Sequence, residues 1–154
     1  MGKFNGKISA EFTPPKTWVL NRALSFQTDE LTESEIECLK EVGANINESG
    51  RVTCKKGMVT DLASVPRIVW NIIAPWDVAR AAIIHDLLYQ RIRQYRCAGG
   101  DDKKVISEAK QASDDVFHMA MKDADPSVAK WKIAAAYYSV RLFGRWSIVP
   151  REGD

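Results

Sequence analysis

The residues best suited to chemistry are His85 and Asp86, adjacent within Ala81-Ala82-Ile83-Ile84-His85-Asp86-Leu87-Leu88-Tyr89. A helix through this run is apolar on nearly every side for two turns, so most of its circumference must be buried. An unpaired carboxylate there costs on the order of several kcal/mol. Both polar groups therefore need partners or a cleft. Asp86 lies about 100° around the helix axis from His85, and Tyr89 sits one turn beyond His85 on neighbouring surface. One group can act as a base while the other serves as a ligand or fixed charge. The structural alternative is that His85 and Asp86 are satisfied core residues tying helices together.

Two further segments supply candidate partners. Asp114-Asp115 lies in a later helical stretch whose apolar side is Phe117, Met119, Ala120 and Met121. With Phe117 turned inward, Asp114, one turn away, faces the central helix. A carboxylate beside an imidazole fixes its tautomer, which is the support a general-base His needs. Asp115, or both, can equally be solvated. In Thr60-Asp61-Leu62-Ala63-Ser64-Val65-Pro66-Arg67, Asp61 suits an Asx turn and Ser64 a helix cap. The functional reading places them at the mouth of the site. Arg91, Arg93 and Arg96, with Tyr95, could grip a phosphate, but read better as a solvated helix end. His118 and Cys97 have no companions at metal-ligand spacing.

The elements that must position these groups are legible in outline. Trp18–Leu20 and Ser25–Gln27 read as extended segments after a turn at Pro14-Pro15. Thr32 with Glu35 forms a capping box, Leu31 and Ile36 a hydrophobic staple, and Gly43 a stop. Ile36, Leu39 and Val42 give this helix a narrow apolar stripe, expected to lie at the surface. A turn at Asn47–Gly50 leads into one strand from Arg51 to Val59. A short helix follows from Ser64 through Trp70, broken by Pro75. The central helix spans Val78 to Gln94 and ends at Gly99-Gly100. Another spans Lys103 to Lys122. The last opens at Asp125-Pro126 and runs to Leu142, with Gly144 as its stop and Trp131, Ala134, Ala135, Tyr138 and Leu142 on its inner face. This is an α+β chain, mainly helical, with a small antiparallel β element packed on about three main helices.

The 154 residues fit a single domain. Apolar residues make up 45%, which argues against disorder, and a net charge of +2 is too mild to mark a nucleic-acid binder. No apolar run approaches a membrane span. The first residues lack the apolar core of a signal peptide, and Gly6 stands where acylation wants Ser or Thr. Cys38, Cys54 and Cys97 form neither a disulfide framework nor a zinc spacing, so free thiols in a reducing cytoplasm, and synthesis without export, are the expectation.

Three segments in this order closely resemble a family of small bacteriophage and prophage proteins catalogued as a domain of unknown function, number 1353. They are Thr60–Arg67, Ala82–Tyr89, and Asp114–Phe117 with Ala120-Met121. The resemblance covers most of Trp18 to Gly144. The capped helix within about 30–48 looks like an insertion between strands. The family implies a phage origin.

His85-Asp86-x-x-Tyr89 with Asp114 is also similar, locally, to the catalytic helix of secreted phospholipase A₂. That similarity implies a water-activating His85, a calcium-binding Asp86 and an orienting Asp114. The flanking cysteines are missing, and Ile68 to Asp77 has no glycine to build a calcium loop. A calcium site would thus be short of its usual ligands.

The leading expectation is a hydrolase-like phage protein acting on an ester or amide of lipid or cell wall. His85 is its general base and Asp114 the orienter. Asp86, with Asp61, holds a divalent cation or a polar substrate group, and Ser64 and Tyr89 line the substrate side. The alternative is a non-catalytic virion or tail-associated protein, or one that binds phage structural proteins or a host factor, with the same residues as a buried polar network. A formed pocket at His85 favours the first. A filled core there, with exposed apolar patches elsewhere, favours the second.

Overall fold

The computed structural model describes residues 2–13, 17–61, 64–65, 75–123, 128–151 and 154. The elements in chain order are β1 (Lys3–Phe4), β2 (Ala10–Thr13), β3 (Thr17–Leu20), β4 (Leu24–Gln27), α1 (Glu33–Glu41), β5 (Arg51–Cys54), β6 (Val59–Thr60), α2 (Pro75–Cys97), α3 (Lys103–Lys122) and α4 (Lys130–Ser147). The fold is α+β and mainly helical, with two small antiparallel sheets, β1-β4-β5 and β2-β3-β6. Pro14-Pro15, the segment from Pro66 through Trp70, and Asp125-Pro126, the expected opening of the last helix, lie outside the described residues.

The strand expected from Arg51 to Val59 is instead two strands in different sheets. Lys55-Lys56-Gly57 interrupts it, with Gly57 at φ +87°, a conformation that suits glycine. β5 pairs with β4 so that Leu24 faces Cys54 and Phe26 faces Val52, all buried. On the other face Arg51 Nη1 donates to Ser25 Oγ at 3.2 Å. β6 joins β3 instead, with Trp18 opposite Thr60.

Helix ends follow local chemistry closely. Thr32 Oγ1 accepts from Glu35 N, and Glu35 Oε1 accepts from Thr32 N, completing the capping box. At the other end Ala44 N bonds Leu39 O and Gly43 N bonds Lys40 O, with Gly43 at φ +88°. This is the Schellman pattern, and it recurs where Gly100 N bonds Tyr95 O and Gly99 N bonds Arg96 O. α1 buries Ile36, Cys38 and Leu39 against α3 and exposes its other side. Asp102 caps α3 by accepting from Lys104 N and Val105 N.

The central helix is longer at both ends than its apolar core suggests, beginning at Pro75 rather than being preceded by a break there. α3 packs on α1, α2 and α4, and α2 also covers β4, β5 and β6. The core is therefore continuous from the sheets through α2 to α4.

α4 departs most from expectation. It begins at Lys130, without a side-chain cap at Ala129, and runs through Gly144 to Ser147. Its buried residues are Ile133, Ala136, Val140 and Gly144. Trp131, Tyr138 and Leu142, expected inside, are 65%, 64% and 64% exposed. Gly144 is no stop. A Cβ there would sit 2.2 Å from the Tyr89 hydroxyl oxygen, so the glycine lets α4 approach α2.

Candidate functional site

Ser64, His85, Tyr89 and Asp114 meet inside the molecule, all fully enclosed. α2 presents His85 and Tyr89 one turn apart, with ring centroids separated by 4.1 Å. α3 brings Asp114 from the same buried side as Phe117, whose ring lies 4.9 Å from that of His85. Ser64 arrives from the connection between β6 and α2.

Hydrogen bonds join all four groups. Asp114 Oδ1 lies 2.8 Å from His85 Nε2 and accepts from the Tyr89 hydroxyl at 2.6 Å. Its Oδ2 accepts from Lys110 Nζ and from Arg141 Nη1, both at 2.9 Å. A carboxylate only accepts, so Nε2 carries a proton. Nδ1 pairs with Ser64 Oγ, 3.1 Å away. All four lone-pair positions of Asp114 are filled, and both nitrogens of His85 are occupied. Lys110 also donates to the carbonyls of Val140 and Arg141 at 3.2 Å, which binds α3 to α4.

Electrostatics follows from this packing. Burial pushes the Asp114 carboxyl up, but the hydrogen bond and charge of His85, the hydrogen bond of Tyr89 and the charge of Lys110 together outweigh it and hold the carboxyl below its ordinary value. The Tyr89 hydroxyl is pushed well up by burial and then by the Asp114 charge. Tyr89 is therefore a fixed donor at any physiological pH.

Asp86 belongs to a separate buried contact. Its Oδ2 accepts from the Thr60 hydroxyl and, at 3.1 Å, from Gln90 Nε2, which also donates to Val59 O at 2.8 Å. Asp86 thus fastens α2 to β6. Its Oδ1 is buried without a hydrogen-bond partner among the described residues. A cation needs several oxygen or nitrogen ligands around it. No group of three His, Cys, Asp or Glu residues that could hold a metal occurs among the described residues. Asp86 therefore belongs to no such group among the described residues.

Asp61 lies at the surface. It is part-exposed and within 3.4 Å of Arg151 Nη1. Asp115 is held by Gln111 and Tyr137 at 2.9 and 2.8 Å. The arginines at the end of α2 are not a solvated group. Arg93 is buried, with its Nε 3.1 Å from an Asp154 carboxylate oxygen and its Nη1 on Ser147 O, while Arg96 donates to Ile148 O. They clamp the carboxyl end of α4.

Sequence reasoning missed Lys110, Arg141, Thr60 and Gln90. Two of them were detectable, since Lys110 precedes Asp114 by four residues and Gln90 follows Asp86 by four. Thr60 and Arg141 come from distant segments and carry no such signal.

Ser64, His85 and Asp114 also form the succession used by Ser-His-Asp hydrolases, with hydroxyl on one ring nitrogen and carboxylate on the other. Here, however, the carboxylate is shared among four donors and the serine is enclosed.

A family model described as "Protein of unknown function (DUF1353)" matches residues 37–140, more than half of the chain. The chain belongs to this family of bacteriophage and prophage proteins. The matched span contains His85, Asp86, Tyr89, Lys110 and Asp114, so the buried network lies within the DUF1353 region apart from Arg141, one residue beyond it. No curated protein and no solved structure matches the chain.

Proposed function

We propose that this DUF1353 protein acts by contact and not by catalysis, as a phage structural or binding protein made in the host cytoplasm. The observation that carries this reading is the saturation of the His85–Asp114 network. Both imidazole nitrogens and all four acceptor positions of the carboxylate are engaged by protein groups, and both side chains are fully buried. A general base needs a nitrogen within reach of a substrate proton or a water. The network instead joins α2, α3, α4 and the segment before α2, as an internal brace does. The large apolar side chains exposed on α4 support contact as the mode of action. Phage structural proteins and host components are the partners this reading implies.

The decisive comparison is His85→Asn. As a brace, His85 predicts a loss of about 1–3 kcal/mol of stability from unsatisfied partners. Added magnesium or calcium should leave the melting temperature of wild type and of Asp86→Asn alike. A cation-dependent rise in the wild type alone would restore a metal role for Asp86, because a ligand stabilises only the state it binds.

One observation favours the hydrolase reading, namely the hydrogen bond between the Ser64 hydroxyl and His85 Nδ1. That contact gives Ser64, expected only to line the substrate side with Asp61 and Tyr89, the place of a nucleophile, with His85 as its base and Asp114 as the orienter. A fluorophosphonate probe separates the two. Ser64 Oγ would displace fluoride and form a phosphonyl ester lost in His85→Asn, whereas the brace reading expects no labelling of the folded protein.

A further inference from the structure

α4 is apolar on two opposite sides. Ile133, Ala136, Val140 and Gly144 face the core. Around the helix, Trp131, Tyr138, Leu142 and Trp146 are spaced by seven, four and four residues, which keeps them near one outward line. All four are more than half exposed.

The charge on this segment is one-sided. Residues 128–151 contain Lys130, Lys132, Arg141, Arg145 and Arg151 and no Asp, Glu, Asn or Gln. The chain as a whole is nearly balanced, with 22 basic and 20 acidic residues. Two of these cations lie beside the outward aromatics. Lys132 Nζ is 5.7 Å from the Trp131 ring centroid, and the Arg145 guanidinium is 4.3 Å above the Trp146 ring.

We propose that the outward face of α4 binds an anionic lipid bilayer, lying in the headgroup region with Trp131 and Trp146 at its two ends. An interfacial helix needs an apolar strip, flanking Lys and Arg, and no acidic residues on the contact face. Trp and Tyr favour the boundary where a ring meets both acyl chains and water, and long basic side chains keep their heads at the phosphates while their stems stay apolar. Such a face enters the bilayer by about 5–10 Å without spanning it. No helix among the described residues is long and apolar enough to cross a membrane.

Two other occupants fit less well. A second copy meeting this face would bring like charges together. A specific protein partner is usually oriented by side-chain amides and carboxylates as well as by aromatics, and this face offers donors almost exclusively. The inference rests on α4 alone and holds whether or not the buried network is catalytic.

The test is flotation of the full chain with vesicles of phosphatidylcholine containing about one third phosphatidylglycerol, against phosphatidylcholine alone. Binding should be at least roughly tenfold stronger to the anionic vesicles and should weaken as salt is raised. Leu142→Glu, at an outward position, should reduce binding roughly tenfold or more while circular dichroism and melting temperature stay at wild-type values. The pair Lys132→Glu and Arg145→Glu should remove the preference for anionic lipid. Wild-type protein that stays with the aqueous fraction would overturn the proposal, and so would vesicle binding indifferent to Leu142→Glu. Sedimentation showing a wild-type oligomer that Leu142→Glu turns into monomer, without vesicle binding, would assign the face to a second copy instead.

Discussion

Gly144→Ala sets two effects of opposite sign against each other, and the structure decides between them. In an ordinary exposed helix, replacing Gly by Ala adds about 1 kcal/mol of stability. At Gly144 the new methyl group would lie 2.2 Å from the Tyr89 hydroxyl oxygen and 3.1 Å from the ring carbon bearing it. Tyr89 cannot swing away freely, because its ring is buried against His85 and its hydroxyl donates to Asp114 at 2.6 Å. Moving it sacrifices a hydrogen bond to a charged acceptor, about 1.5–3 kcal/mol. Moving α4 outward instead loosens a packed interface, and overpacking costs about 1–3 kcal/mol. Either cost alone, less the propensity gain, leaves a net loss of up to about 2 kcal/mol, or a fall in melting temperature of up to roughly 4–8 °C for a chain of this size. Chemical denaturation of wild type, Gly144→Ala, Tyr89→Phe and the double variant closes a double-mutant cycle. Removing the hydroxyl relieves the closest clash, so the double variant should be more stable than the sum of the two single losses predicts. A Gly144→Ala protein more stable than wild type would refute this account of how α4 approaches α2.

The remaining predictions concern pH and thiol reactivity. Asp114 has a folded-state pKa below its unfolded value of about 3.9, so its contribution is fully present above the unfolded value and is lost as pH falls through the folded one. Melting temperature should change little on this account between neutral pH and about pH 5 and fall below about pH 4. Asp114→Asn should start lower at neutral pH and show a shallower acid decline; an identical acid profile would remove Asp114 from that role. Among the cysteines, Cys54 is buried, its thiol pushed well up by burial and then by the Asp86 charge, while burial and then Glu108 push Cys38 up to about 11. A maleimide at neutral pH should therefore label exposed Cys97 first and reach Cys54 only on unfolding; rapid labelling of Cys54 in the native protein would contradict the core described here.

Where a structural feature is set by neighbouring residues, the sequence was readable. The capping box at Thr32–Glu35, the stops at Gly43 and Gly99, and the bounds of α3 each depend on contacts within a few residues. β1 escaped notice because a two-residue strand offers too little alternation to stand out. The single strand expected from Arg51 to Val59 failed for a related reason. Apolar residues resume at Met58 after Lys55-Lys56-Gly57, and the positive φ at Gly57 makes that interruption a turn. The polar network was legible only as a need. An apolar helix carrying His85 and Asp86 must satisfy them, but Arg141 and Thr60 come from segments whose pairing depends on the tertiary fold.

α4 shows the limit of periodicity most clearly, because it carries two helical stripes and both are apolar. The Trp131–Tyr138–Leu142 stripe holds the larger side chains, so hydrophobicity alone selects it for the core. The structure buries Ile133, Ala136, Val140 and Gly144 instead. Close approach explains the choice. Lys110 must reach the carbonyls of Val140 and Arg141, and Arg141 must reach Asp114, so the smaller stripe has to face α3 and α2. Trp131 and Leu142 on that face would hold the helices apart and break the network. The brace around Asp114 thus dictates which face of α4 remains outward. The buried polar residues and the exposed aromatic strip are two consequences of one packing decision, and a change to the first, such as Asp114→Asn, should alter how the second is presented.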